Sequence, residues 1–280
     1  MTINFEDKRG FFRNLSVTTQ LIFANLIIFI ILSISFPDQI TEVNGNLTKT
    51  INPFIGNNVA ITPNLILQGK SIWTIFTSMF MHANFLHIFA NMFSLFFIGN
   101  FLERIIGKKR FFLIYLISGI VGGIFFVFSG MIFNSNIPGV GASGAIFGLI
   151  GILAVLVPHS RIYLIAGPLI LLLLQFIASP FIPASFSAAF GIIINITIFV
   201  MIFAMLSFNP SMRKLAVPIQ LPMWLLPIIA IVPLVIIGFF VDLPIGNSAH
   251  IGGLLVGLLY GIYLRKKFPN KTKMISRHFR

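Results

Sequence analysis

Residues 141–157 read Gly141-Ala142-Ser143-Gly144-Ala145-Ile146-Phe147-Gly148-Leu149-Ile150-Gly151-Ile152-Leu153-Ala154-Val155-Leu156-Val157, without one ionisable side chain. A run this apolar, opening on a serine between glycines and closing at Pro158, reads as a membrane helix whose first turn carries a hydroxyl. The rest of the chain has the same character. Apolar residues make up 57% of the 280 positions and charged ones 9%, and the mean hydropathy is +1.00. A soluble domain carries about 25% charged residues, so this chain has too little polar surface to live in water. Apolar runs near the roughly 20 residues that cross a bilayer core recur at 18–36, 80–101, 111–133, 141–157, 162–179, 187–207, 222–241 and 246–264. The expectation is an all-α, polytopic transmembrane helix bundle of about eight spans, forming a single membrane domain over 1–280.

The net charge of +13 is not a nucleic-acid signature, because the cations sit in short segments between apolar runs. All basic residues but Lys49 and Lys70 fall on one side when the chain is threaded through these spans with its N-terminus inside. That is the positive-inside pattern, and it predicts a multi-pass protein of the cell membrane with both termini cytoplasmic. Residues 265–280 form a basic cytoplasmic tail on this reading, and 37–79 an external loop. Ile72, Trp73, Ile75 and Phe76 give that loop an interfacial character. The first apolar run lacks a small-residue cleavage pattern and reads as a retained helix. With no cysteine, disulfides, thiol catalysis and cysteine-ligated metals are excluded.

Polar groups inside a membrane are costly and rare, so each one in a span is informative. Ser143 falls in a first helical turn, where backbone N–H groups lack intrahelical partners and the helix dipole favours a developing oxyanion. It could equally cap the helix, with the glycines serving only packing. His250 opens the last span in Ala249-His250-Ile251-Gly252-Gly253. Gly253, Gly257 and Gly261 clear one face of that helix, as Gly144 and Gly148 do on the fourth span. Two such faces permit backbone contact and could bring an imidazole to the serine. The alternative is a buried histidine donating to a carbonyl. His87 and Asn91, four apart, share a helical face and could donate to an oxyanion or hold neighbouring helices together. His82 lies just before them. Three histidines could ligate zinc, but no HExxH occurs and no carboxylate lies in a span. No metal and no cofactor is expected, and an aspartyl protease is excluded for the same reason.

Taken together, His87-xxx-Asn91, Gly141-Ala142-Ser143-Gly144 and Ala249-His250-xx-Gly253-xxx-Gly257 resemble the rhomboid family of intramembrane serine proteases, in the family's order and at the external side. Gly99-Asn100-Phe101-Leu102-Glu103 is similar to a structural Gly-xxx-Glu element of the second helix. The resemblance implies Ser143 as nucleophile and His250 as general base and acid. His87, Asn91 and the Ser143 N–H would form the oxyanion hole. It further implies that His82 orders the external end of that helix, that Phe147 carries the histidine ring, and that Gly141 and Gly144 support the site. Three features depart from the family's pattern. Trp73-Thr74 stands where Trp-Arg is common, and Phe147 replaces a tyrosine. The six-helix core would carry an inserted helix pair within 162–207.

The activity so implied is hydrolysis of transmembrane segments of other proteins near the external face, with weak helix formers such as Gly and Pro favoured in the substrate. A catalytically silent relative that binds transmembrane helices and a solute transporter with polar midplane groups are the rival classes. Partners are therefore transmembrane substrates and the bilayer, not nucleic acid; no feature of the sequence specifies an oligomeric state.

Overall fold

The computed structural model describes residues 15–43, 46–207, 209–238 and 246–279. Lys8, Arg9, Arg13, Asp242, Arg280 and the outer end of the span expected at 222–241 lie outside them. Among the described residues, five helices are long and apolar enough to cross a membrane: Val17–Ser35 (α1), Phe85–Ile106 (α2), Lys108–Ile132 (α3), Ser185–Met205 and Asn247–Lys267. Three shorter apolar helices accompany them, at Ser143–Leu156, Ala166–Phe181 and Met223–Pro233. The protein is a multi-pass, all-α membrane bundle, with one helix or helical segment for each of the eight expected spans.

The contacts divide the chain into two compact units, one of residues 1–158 and 224–278, the other chiefly of 159–223. In the first, α4 (Ser143–Leu156) lies against α3 and the long helix that begins at Asn247. The second holds α5 (Ala166–Ala178) and α6 (Ala184–Leu206), the segment where an inserted pair was expected. Its helices are bracketed by an antiparallel pair, Arg161–Ile165 with Pro218–Pro222. The expected span 162–179 therefore begins with a strand, and that at 222–241 opens on the last strand residue and a 3-10 turn; helix starts only at Ala166 and at Leu226 (α7, Leu226–Gly238). Ile162, Tyr163 and Ile165 have strand propensity, and pairing with the second strand outweighs apolar composition as the local determinant. Beyond Lys267 the tail is also ordered: α8 (Asn247–Lys267) is followed by α9 (Pro269–His278).

The expected start of the second span at residue 80 moves to Phe85. Asn84 is extended and its side chain accepts from the His87 N–H at 2.8 Å, an N-cap that sets the first helical turn. Residues 95–99 of α2 widen into a π turn. There Gly99 lies so close to Thr18 that a β-carbon would stand 2.9 Å from its methyl group.

Glu103, near the end of α2, is buried and accepts from Val17 N at 2.9 Å, Thr18 N at 2.8 Å and Thr18 Oγ1 at 2.7 Å. It supplies the acceptors that the first turn of α1 lacks, and its negative charge complements the dipole there. Glu103→Ala should strand the buried Thr18 N–H and the part-buried Val17 N–H at a cost of about 2–4 kcal/mol. The apparent Tm in detergent should fall by roughly 5–15 °C, with Glu103→Gln recovering part of it; an unchanged Tm would refute this role.

The loop at 37–79, expected to be external, carries its own structure. It holds a hairpin of Gln39–Val43 with Asn46–Thr50 and short helices at Pro53–Asn58, Pro63–Leu67 and Thr74–Thr77. Reciprocal hydrogen bonds of 2.9 Å join Ile61 to Gly139, tying the loop to the segment that leads into α4. Trp73 Nε1 donates to Asn58 O at 3.0 Å, a bond within the loop that ties its two halves together.

Candidate active site

Ser143 is the first residue of α4, and the backbone before it is held from two sides. Gly141 N donates to Ser78 O at 2.8 Å, and Gly141 takes φ +130, a conformation that side-chain-bearing residues rarely adopt. A β-carbon there would also stand 2.9 Å from the His87 ring. Glycine is thus required both by the turn and by the imidazole beside it.

His250, in the first turn of α8, is 7% exposed. Its Nε2 lies 2.8 Å from Ser143 Oγ. Its ring stacks on Phe147 with centroids 4.3 Å apart and planes 16° from parallel. Nδ1 has no hydrogen-bond partner among the described residues, so within them the ring is oriented by an aromatic face and by its bond to the serine. When Nε2 accepts the serine proton, Nδ1 carries the ring hydrogen.

The close approach rests on bare backbone. A β-carbon at Gly253 would collide with the Gly144 carbonyl, and one at Gly257 with the Gly148 carbonyl. A third helix joins them: a β-carbon at Gly122 of α3 would stand 2.8 Å from Ala249 O, directly before His250. Gly122 and the Ser78 carbonyl escaped the sequence reading. A Gly-Gly pair in an apolar run was a signal for the first; nothing in the residue type signals the second.

His87 stands at the start of α2. Its Nδ1 accepts from Ala83 N at 3.4 Å, so in the neutral ring the hydrogen is on Nε2. That N–H reaches the space over Gly141, which Ser143 Oγ also borders: the β-carbon position of Gly141 is 2.9 Å from His87 Nε2 and 3.9 Å from Ser143 Oγ. Asn91 is buried, and its Nδ2 donates to His87 O at 2.9 Å. One amide hydrogen is therefore spent on its own helix and the second remains. His82 is fully buried, lies edge-on to His87 at 5.0 Å, and accepts from Ala142 N at 3.5 Å through Nε2. Because its Nε2 accepts, the ring is neutral with its hydrogen on Nδ1, and it lies against His87 just before the helix at Phe85. Among the described residues no cluster of three or more His, Cys, Asp or Glu side chains could hold a metal ion.

The family model of the Rhomboid domain matches residues 69–196 and 194–267, a range that contains every one of these side chains. The chain belongs to the rhomboid family. Its curated relatives include the Rhomboid protease GluP of Bacillus subtilis, 40% identical over 113 residues, which are 40% of this chain and 20% of that protein. The putative rhomboid protease YdcA of the same organism is 40% identical over 89 residues, 32% of this chain and 43% of that protein. The Inactive RHOMBOID-like protein 8 of Arabidopsis thaliana is 35% identical over 107 residues, 36% of this chain and 29% of that protein. In each case the match spans less than half of the relative's length.

In this rhomboid the stacking surface beneath the histidine is a phenylalanine, so its contribution is testable apart from any hydroxyl. Phe147→Leu should leave the fold intact and free the His250 ring to turn. In the assay proposed below, labelling of Ser143 should slow by about ten-fold, since an off-rotamer base misplaces the proton acceptor. Phe147→Tyr should behave as wild type, and equal rates for all three proteins would show that the ring does not position the base.

Proposed function

We propose that this chain is an intramembrane serine endopeptidase that hydrolyses transmembrane segments of other membrane proteins. The observation that carries this reading is the 2.8 Å contact between Ser143 Oγ and His250 Nε2, within the reach a general base needs. His250 takes the proton from Ser143 as Oγ attacks the scissile carbonyl carbon. The oxyanion so formed is received by His87 Nε2–H, the free amide hydrogen of Asn91 and the Ser143 backbone N–H. His250 then gives its proton to the leaving amine, and a water molecule, deprotonated by the same ring, hydrolyses the acyl-serine. Two of the relatives carry a protease name, which supports the reading. One carries the name inactive, so family membership leaves the activity itself to be measured.

The length of α4 supports a buried yet hydrated site. Its 14 residues span about 21 Å at 1.5 Å each, against roughly 30 Å of hydrocarbon. With Leu156 at one boundary, Ser143 stands several ångströms inside the other, beneath the non-helical approach from residue 134, which at that depth must line protein or water. The charge asymmetry supports taking that boundary as the outer one and both termini as cytoplasmic.

The test is covalent labelling of detergent-solubilised protein with a fluorophosphonate, read by mass spectrometry of the peptide bearing Ser143. Wild type should label at Ser143, Ser143→Ala should not label, and His250→Ala should label roughly 100-fold more slowly or less. A wild-type protein that retains a single-span substrate but neither labels nor cleaves would establish the silent, helix-binding alternative instead.

A further inference from the structure

The end of the bundle remote from Ser143 contains a cavity of about 90 Å³ that the hydrolytic reading does not use. Its floor is apolar and buried, made by Ile106, Leu156 and Leu264. Phe268 forms a wall, and the exposed cations Arg110 and Lys271 stand at its edge. Arg110 is not loose: its guanidinium carbon sits 5.4 Å from the centre of the Phe268 ring. Lys267 lies over the same ring at 5.8 Å and donates to Tyr263 OH at 2.7 Å. Cation–π contact holds a guanidinium by its face and leaves its N–H groups free to donate outward.

Among the described residues positive charge here is in excess. Lys108, Lys109, Arg265, Lys266, Lys273 and Arg277 lie on the same helix ends or on α9. Among the described residues the one carboxylate nearby is Glu103, and it is committed to Val17 and Thr18. The short helix α9 is itself amphipathic. Thr272 and Ile275 turn toward the cavity, whereas Lys271, Lys273, Met274 and Arg277 are exposed. A basic outer face with an apolar residue among the cations suits a helix lying in the headgroup layer.

We propose that this cavity is a headgroup site for an anionic phospholipid, with Arg110 and Lys271 on the phosphate and the apolar floor against the glycerol and first acyl carbons. Basic pockets between helix ends at a membrane boundary are suited to such headgroups. The apolar floor favours a lipid over a free phosphate, which would need donors on all sides.

The experiment is native mass spectrometry of the full chain in neutral detergent, with phosphatidylglycerol or phosphatidylcholine added at equal concentration. Wild type should retain phosphatidylglycerol selectively. Arg110→Gln/Lys271→Gln should lose that retention by on the order of ten-fold or more, while Lys49→Gln/Lys70→Gln, an equal change of charge in the loop at 37–79, should not. Phe268→Leu keeps both cations but removes the ring, and should give an intermediate loss, which separates a built site from general attraction. Each variant is checked for an unchanged Tm in the lipid-free detergent. Equal retention by wild type and the double variant overturns the proposal. So does equal retention of phosphatidylcholine, which would mean an apolar annulus only, or displacement by inorganic phosphate, which would mean a free-anion site. Every readout is binding, so the result is independent of whether Ser143 and His250 hydrolyse peptides.

Discussion

Ser143→Ala, His250→Ala and the double variant should all cleave a single-span substrate at one and the same residual rate, lower than wild type by on the order of 10⁴-fold or more. Equality among the three is the informative part. On the proposed mechanism the hydroxyl is nucleophilic only while Nε2, 2.8 Å away, accepts its proton, and alone neither group has chemistry to perform. Losses that act as a unit do not add, so the second substitution removes nothing that the first has left. The fold provides an internal control. Ser143→Ala deletes one oxygen at the start of a helix whose backbone is held by Gly141 N to Ser78 O, and its Tm should stay within a few degrees of wild type. A His250→Ala protein that retained a tenth of the wild-type rate, or single losses that multiplied in the double variant, would show that the contact is structural and that another group serves as base.

The sequence offered that contact as one of two readings, resting on a glycine pattern that marks close helix packing. Glycines at 253 and 257, facing others at 144 and 148, leave two helices nothing but backbone to pack with, and the polar residues at their shared end then meet. Apolar runs placed the helices for a similar reason, since the hydrocarbon core imposes a length. Where composition has two meanings the reading drifted. Ile162 to Ile165 is as apolar as a membrane helix, yet it pairs as a strand with Pro218–Pro222, a partner more than fifty residues away that no local window contains. The start of α2 moved because a capping side chain, Asn84 on His87 N, overrules hydropathy within a turn. The bond from Asn91 to the His87 carbonyl is a competition between a side chain and its own helix, decided by rotamer and invisible to spacing.

The same glycine seam yields the second large effect, at a position that touches no reacting atom. Gly257 lies seven residues beyond His250, about two turns and roughly 10 Å along α8. A β-carbon there would collide with the Gly148 carbonyl oxygen. Because the obstructing atom is backbone, no rotamer change relieves the overlap, and α8 must move away from α4. A displacement of about 1 Å at the site is enough to lengthen the Ser143–His250 contact beyond a hydrogen bond, and misplacement of that size costs on the order of 100-fold in rate. Gly257→Ala should therefore lower both cleavage and fluorophosphonate labelling by about that factor and reduce the Tm, with Gly257→Leu worse on each measure. Leu259→Ala, on the exposed side of the same helix, should leave the rate near wild type. The graded pair separates geometry from folding: labelling that falls faster than the fraction folded places the loss in the 2.8 Å contact. If Gly257→Ala labelled at the wild-type rate with an unchanged Tm, the two helices would not be in backbone contact, and the reason for an alcohol and an imidazole to meet would be gone.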